Sequence, residues 1–160
     1  MKVKDLMQTS VATVRENETL TVVDDLMKTG WVRHLPVIDA TNRLRGVVTQ
    51  RDVLKASVSS MAGADPAAQQ RWLSQVLVRN VMTKKPITIG AEAEVSEVID
   101  KLLAGKFGCL PVTEQGQLVG LITETDLLRH LQTLLKKKRA TSRSSSRAAK
   151  KTRATTKSAS

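Results

Sequence analysis

The chain contains the same sequence pattern twice. Residues 3–39 align with residues 78–114, and residues 44–56 align with residues 118–130 after a one-residue shift in a loop. Fourteen of the 50 aligned positions are identical, whereas random pairing at average composition gives about 3. A repeat of roughly 50 residues buries too little core alone, but two copies can share one. The sequence therefore predicts two repeats packed with pseudo-twofold symmetry around a cleft that can hold a ligand.

Each copy has a pattern of strand, helix, strand, strand and helix, which predicts an α/β (α+β) fold of two βαββα repeats. Apolar residues at helical spacing follow a candidate cap, Thr19 in the first copy, and the helix is predicted to end at a glycine. These helical positions are Leu20, Val23 and Met27 with Gly30 in the first copy, and Val95, Val98 and Leu102 with Gly105 in the second. Short apolar runs predict the strands, which lie near residues 12–14, 35–38 and 44–48 and near residues 87–89, 110–113 and 118–122.

The predicted organisation is a first repeat at 1–60, a helical linker at 61–77, a second repeat at 78–135 and a tail at 136–160. Asp65 as a cap and Pro66 at the first helical position predict the linker helix. The tail contains ten Lys and Arg residues and no acid, and alanine is its largest apolar residue. Such a segment cannot bury enough surface to offset its ordering entropy, so the sequence predicts a disordered basic tail.

Composition limits the compartment and the chemistry. Residues 1–135 are nearly neutral, and the single cysteine, Cys109, cannot close an intramolecular disulfide. The amino terminus lacks the apolar run of a signal peptide, and no apolar stretch is long enough to span a membrane. These features predict a soluble, cytoplasmic protein. With two distant histidines, one cysteine and no phosphate-loop or nucleophile motif, neither a metal site nor catalysis is predicted.

One polar motif recurs where the last strand of each copy meets the closing helix. It is Gly46-Val-Val-Thr-Gln-Arg-Asp52 in the first copy and Gly120-Leu-Ile-Thr-Glu-Thr-Asp126 in the second. A threonine followed three residues later by aspartate resembles a capping box, which is a sufficient structural explanation by itself. The same geometry can bind phosphate with N–H and hydroxyl groups and ribose with the carboxylate. Both interpretations remain open from the residues alone.

With Leu35-Pro-Val37 and Leu110-Pro-Val112, this arrangement resembles the tandem cystathionine β-synthase (CBS) domain pair, or Bateman module, over about 130 residues. The resemblance implies an adenosine-type ligand, either an adenine nucleotide (AMP, ADP or ATP) or S-adenosylmethionine. It implies that Asp52 and Asp126 bind the ribose. It also implies that the hydroxyl groups of Thr49, Thr123 and Thr125 lie near the ribose and the phosphate. It also assigns the base pocket to Thr13 and Thr88, and phosphate contacts to Arg33 and His34.

The two copies diverge within this set. The second copy has Gly108 and Cys109 where the first has Arg33 and His34, and the first has Arg51 in place of a second hydroxyl. We therefore expect at most one strong site, at Thr123-Glu-Thr-Asp126, with Arg33 or His34 contributing charge across the cleft. A solvated turn is the alternative explanation for Arg33 and His34. Cys109 is expected to be a small buried thiol.

The tail disperses its cations among small polar residues, which suits contacts to phosphates without sequence preference. The alternative is a solubilising extension with no fixed partner. The cationic positions are Lys136, Lys137, Lys138, Arg139, Arg143, Arg147, Lys150, Lys151, Arg153 and Lys157.

Two functional hypotheses follow. The first is a regulatory module that binds an adenosine-type ligand, forms a homodimer and signals to an unidentified effector protein by conformational change. The second is a nucleic-acid-associated protein in which the repeats form a dimerising scaffold and the tail binds the polyanion. An enzymatic role ranks third, because no residue is an obvious catalyst.

Overall fold

A computed structural model describes residues 1–59 and 65–155 of the chain, with side chains for residues 1–58 and 65–139. The predicted boundary between the first repeat and the linker, at residue 60, lies outside the described residues. Two units are distinguished, Met1–Thr123 and Glu124–Ser160. The elements are α1 (Leu20–Gly30), β1 (His34–Ile38), β2 (Leu44–Thr49), α2 (Gln50–Ser59), α3 (Pro66–Leu73), α4 (Val78–Val81), β3 (Thr83–Lys84), α5 (Val95–Gly105), β4 (Cys109–Glu114), β5 (Gln117–Thr123) and α6 (Glu124–Thr155), preceded by a short 3-10 helix at Val3–Asp5.

The predicted α+β architecture is present, with two small sheets. Antiparallel strands form a three-stranded sheet in the order β1-β2-β3 and a two-stranded sheet of β4 and β5. The predicted opening strand of each copy is reduced to one parallel bridge, Val14 with Val37 and Ile89 with Val112. The contact with the neighbouring strand is limited to the backbone of one residue. Val14 N donates to Pro36 O at 3.1 Å, and Ile38 N donates to Val14 O at 3.0 Å.

The helical periodicity predicts the buried faces correctly. Helix α1 buries Leu20, Val23 and Met27, and α5 buries the equivalent residues of the second copy. The first-copy residues pack with Leu35, Val37 and Val48 of the sheet. One apolar face per helix is therefore covered, as expected for repeats that share a core.

Both helices end at the predicted glycines. Gly30 and Gly105 are the last helical residues, and the left-handed residues are Trp31 and Lys106, each with φ 52°. A Cβ added to Gly105 would overlap the Phe107 ring, so a side chain there would displace that ring. Thr19 occupies the N-cap position of α1 but makes no capping hydrogen bond through its side chain.

The linker helix forms as predicted. The Ala67 N–H donates to Asp65 Oδ1 at 3.0 Å, and Pro66 occupies the first turn of α3. Leu73 is 2% exposed and belongs to the core of the first repeat, and Trp72 Nε1 donates to Ala56 O at 3.0 Å. The linker therefore packs against the first repeat.

The two repeats exchange their opening segments. Val3 N donates to Ala93 O at 3.0 Å, and the equivalent Val78 N donates to Glu18 O at 2.9 Å. The reciprocity recurs one residue later, from Lys4 to Ala91 and from Arg79 to Glu16, each at 3.0 Å. It extends to the helix starts, where Val95 N donates to Met1 O and Leu20 N to Val76 O. These paired bonds give the unit Met1–Thr123 its pseudo-twofold symmetry.

The exchange explains why both copies contain a glycine in the last strand and a methionine in the opening segment. A Cβ added to Gly46 would lie 2.7 Å from both Met82 Sδ and Thr83 O, and one added to Gly120 would lie 2.8 Å from Met7 Sδ and 2.9 Å from Gln8 O. At both glycines, an added side chain would have to displace the backbone of the other repeat. Glycine is therefore required where the segment of one repeat crosses the strand of the other.

Helix α6 is the longest element and extends through residues 136–155, where composition predicts disorder. The side chains of residues 136–139 are exposed, and a helix without packing is only marginally stable in water. Disorder of the tail in solution stays a prediction, and residues 156–160 lie outside the described part. Among the described residues, no helix has both the length and the apolar character of a membrane span.

We expect Gly46→Ala and Gly120→Ala each to lower the free energy of unfolding by about 1–3 kcal/mol, because the added methyl group overpacks the crossing. Gly90→Ala is the matched control, since a Cβ there has no neighbour within 4 Å. Urea denaturation of the three variants measures the effect. Equal stability of all three would contradict the proposed role of the crossing.

Candidate functional site

Four candidate residues of the first copy lie at one end of the β1–β2 hairpin. His34 at the start of β1 pairs with Thr49 at the end of β2. Gln50 N, at the start of α2, donates to Arg33 O at 3.0 Å, which joins the helix start to the residue before β1. His34, Thr49 and Asp52 are half-buried, and Arg33 is exposed. The strand register thus brings together hydroxyl, carboxylate and cationic groups that are up to 19 residues apart in the chain.

Asp52 and Thr49 form the capping box that the motif predicts. Thr49 N and Thr49 Oγ1 donate to Asp52 Oδ2 at 2.8 and 2.7 Å, and Asp52 N donates to Thr49 Oγ1 at 3.4 Å. Both strong bonds end on Oδ2, and Oδ1 accepts no hydrogen bond from the described residues. The cap holds the carboxylate in place at the first turn of α2, where the helix dipole favours negative charge. The capping interpretation of the motif is therefore confirmed for the first copy, and the ligand-binding interpretation stays a prediction.

His34 reaches the second repeat. A Cβ added to Gly108 would lie 2.6 Å from His34 Nε2 and 2.9 Å from Cε1, so the imidazole occupies the space that a side chain at 108 would need. Gly108 is the repeat equivalent of Arg33. The divergence of the two copies at this position is therefore compensated: glycine in one copy makes room for histidine from the other.

In the second copy, the equivalent strand register pairs Cys109 with Thr123. Cys109 is 8% exposed and packs with Val47 and Leu121, which confirms the buried thiol. Two further residues of this copy belong to α6. Thr125 is half-buried there, and Asp126 is 8% exposed with Oδ1 4.0 Å from Arg129 Nη1.

The two base-pocket candidates occupy equivalent places. Thr13 and Thr88 are half-buried and precede Val14 and Ile89, whose backbones bond to the proline-containing strands β1 and β4. Ile89 N donates to Pro111 O at 3.1 Å, as Val14 N does to Pro36 O. Each threonine is therefore fixed beside the strand that begins at the candidate site.

The tail candidates are only partly described. Lys136, Lys137, Lys138 and Arg139 are exposed on α6. Side chains of the other tail candidates up to Arg153 lie outside the described residues, and so does all of Lys157. In the part of the chain that is described, no group of three or more His, Cys, Asp or Glu residues is arranged to hold a metal ion.

Sequence reasoning missed two kinds of residue at this site. It did not identify Gly108 as the residue that leaves space for the His34 imidazole. It also did not identify the contacts of Met7 with Gly120 and of Met82 with Gly46. The signals were available: the methionines align with each other, and Gly108 aligns with a bulky cation. Their meaning depends on which repeat contacts which, and alignment alone does not contain that information.

We expect Thr49→Val to lower the free energy of unfolding by about 0.5–2 kcal/mol, because it removes the hydroxyl from the cap and retains the side-chain shape. Thr49→Ser, which retains the hydroxyl, is the control and should remain close to wild type. Chemical denaturation distinguishes them. Equal losses for valine and serine would show that the hydroxyl does not stabilise the helix start.

Comparison with known proteins agrees with this architecture. The CBS domain family model matches residues 3–59 and 78–133. A CBS domain-containing protein of Dictyostelium discoideum is 31% identical over 127 residues, covering 79% of this chain and 88% of that protein. The crystal structure of a protein assigned to acetoin utilization (AcuB) from Vibrio cholerae is 31% identical, with a TM-score of 0.73 over 88% of this chain and 96% of that one.

A further similar structure is that of CBSX2 in complex with AMP. It is 24% identical to this chain, with a TM-score of 0.70 over 82% of this chain and 97% of that one, and shares its fold. The two segments that match the family model coincide with the internal repeats, which exchange their opening segments reciprocally. The chain belongs to the CBS domain family and contains a tandem pair of CBS domains.

Proposed function

We propose that this protein is a regulatory module that binds an adenosine-type ligand and acts as a homodimer on an effector protein. CBS domains are typically regulatory rather than catalytic. The observation that carries the proposal is the threonine–aspartate helix start beside a histidine from β1, with a related motif at the same place in the second repeat. The ligand candidates are AMP, ADP, ATP and S-adenosylmethionine.

In the first copy, each group has a matching part of such a ligand. Oδ1 of Asp52 is available to accept from a ribose hydroxyl, while Oδ2 is held by Thr49. Arg33 supplies positive charge for phosphates, and the His34 imidazole can donate a hydrogen bond to them, which would account for the space that Gly108 leaves to the imidazole. Thr13 would border the base. Arg51 follows the cap and is exposed, so it is a further candidate for phosphate contact.

In the second copy, we propose that Asp126 binds the ribose and that Thr123 and Thr125 bind near ribose and phosphate, with Thr88 beside the base. The motif here contains both hydroxyls. Asp126 is also more buried than Asp52, and hydrogen bonds to a carboxylate strengthen as water is excluded. We therefore propose that the stronger of the two binding sites depends on Asp126.

The likeness to known structures supports the ligand class at the level of fold. CBSX2, which shares the fold, was crystallised with AMP. Adenosine ligands carry a ribose diol, and a fixed carboxylate at a helix start is suited to accept from both of its hydroxyls. Effector signalling would follow if the ligand binds one arrangement of the helices better than another.

We expect calorimetric titration of the full chain to detect binding of at least one of the four ligands, and Asp126→Ala to weaken it. Loss of hydrogen bonds to a charged group costs about 1.5–3 kcal/mol, or about 10- to 100-fold in Kd. Asp52→Ala should weaken binding less. Asp100→Ala, which removes the same charge from an exposed position of α5, is the matched control.

Two results would contradict the proposal. Absence of heat and of thermal shift with all four ligands would exclude adenosine sensing. Binding that survives Asp126→Ala but not Asp52→Ala would move the principal site to the first copy.

A second function, polyanion binding by the tail, is favoured by the consecutive exposed cations Lys136–Arg139. We expect full-length protein to bind duplex DNA without sequence preference, with affinity that falls steeply as salt rises. Replacing these four residues by glutamine should reduce the salt slope by about 3–4, since each phosphate contact contributes about 0.9. Filter binding over a salt series measures it, with nucleotide titration as the independent control for folding. An unchanged slope would exclude these four residues from the contact.

A further inference from the structure

Trp31 is the most exposed large apolar residue in the described part of the chain. It directly follows α1 and is 93% exposed. The other tryptophan, Trp72, is 38% exposed, and its Nε1 donates to Ala56 O at 3.0 Å. The indole ring of Trp31 therefore contributes little to the core, and both of its faces are open to a partner.

The backbone at this position does not require an aromatic residue. Trp31 has φ 52°, a left-handed conformation that bulky residues rarely adopt. Lys106, the equivalent residue of the second repeat, has the same φ. The conformation is therefore a property of the helix end in both repeats, whereas the exposed ring is particular to the first. Neither packing nor backbone geometry accounts for the tryptophan.

Two arginines lie close to this ring. Gln50 N donates to Arg33 O at 3.0 Å, Trp31 lies two residues before Arg33, and Arg51 directly follows Gln50. One backbone hydrogen bond thus brings the ring and both guanidinium groups to the same end of the hairpin. Arg33 and Arg51 are exposed, and neither forms an ion pair with any residue that the structure describes.

Positive charge continues along the first turns of α2. Lys55 is exposed and lies four residues after Arg51, on the same face of the helix. Asp52 is the single acid in residues 49–58, and its Oδ2 is held by Thr49. The cations therefore outnumber the acid. We call this region the Trp31 surface and define it by Trp31, Arg33, Arg51 and Lys55.

An open aromatic ring beside exposed cations suits a ligand in which unpaired bases alternate with phosphates. Each base has a face that can stack on an aromatic side chain, and the phosphates are attracted to nearby Arg and Lys. A duplex would offer only its phosphates, because its bases are stacked on one another. An acidic peptide would match the charge but leave the ring unused.

We propose that the Trp31 surface binds single-stranded nucleic acid, with one base stacked on the indole and the neighbouring phosphates on Arg33 and Arg51. These arginines are also candidates for the proposed adenosine site, but stacking on Trp31 does not require a ligand there. The surface also differs from the tail, whose cations do not distinguish a single strand from a duplex.

Titration of the full chain with two single strands tests the stacking. One is oligothymidylate of about ten nucleotides, and the other is an abasic strand of the same length, at a salt concentration that abolishes duplex binding. Stacking of one base contributes about 1–3 kcal/mol, so wild type should bind oligothymidylate at least about fivefold more tightly than the abasic strand. Its tryptophan fluorescence should be quenched at the same time.

Trp31→Lys separates the ring from the charge. Lysine adopts this backbone conformation at Lys106, so the variant should fold, and circular dichroism verifies it. It should bind both strands equally, whereas Trp31→Phe should retain a preference for oligothymidylate. Equal affinity of wild type for the two strands, or tighter binding by Trp31→Lys, would overturn the proposal. Equal quenching by thymidine monophosphate would replace it with a small-molecule site.

A salt series tests the arginines. Arg33→Gln and Arg51→Gln should each lower the salt slope for oligothymidylate by about 0.7, the contribution of one phosphate contact to a single strand. Lys106→Gln, at the equivalent helix end of the second repeat, is the matched control and should leave the slope unchanged. Unchanged slopes for both arginine variants would overturn their role. Calorimetry with the four adenosine ligands on the same samples reports separately on the proposed function.

Discussion

The exchange of opening segments between the two repeats is the constraint on which the rest of the fold depends. Each segment forms backbone hydrogen bonds with the loop before the first helix of the other repeat, and its methionine covers the glycine of the other repeat's last strand. Neither repeat can satisfy these groups by itself. A buried backbone group without a partner costs about as much as a lost hydrogen bond, so the two repeats are stable only as a pair.

This constraint also places the candidate site. The crossing fixes the last strand of each repeat against the segment of the other, and the strand then delivers its threonine to the start of a helix. In the first repeat, Thr49 and Asp52 complete the helix cap, and His34 is set beside them by strand register. The imidazole extends over Gly108 of the second repeat. The two repeats therefore share one fold but present different side chains at equivalent positions, because Gly108 of the second repeat leaves space for His34 of the first.

Helix α6 combines two of the proposed roles in one element. Its first turn contains Thr125 and Asp126 of the second ligand motif, and its later part contains the cations of the tail. On these proposals, a ligand that acts on the first turn acts on the same element that carries the polyanion contact.

The sequence by itself determined the repeats, the buried faces of α1 and α5, the hairpins, the linker helix and the threonine–aspartate cap. Apart from the repeats themselves, these features depend on local periodicity and on contacts between residues a few positions apart. A short stretch of sequence is enough to predict them. The glycines that end α1 and α5 were also predicted correctly, whereas the Thr19 side chain makes no capping hydrogen bond, and the left-handed residues after the two helices are Trp31 and Lys106. Only the tertiary structure decided that the opening segments are exchanged and that His34 rests on Gly108. The physical reason is that these contacts join residues about 40 to 115 positions apart, where alternative pairings have the same local pattern and differ only in how completely they bury and bond the chain.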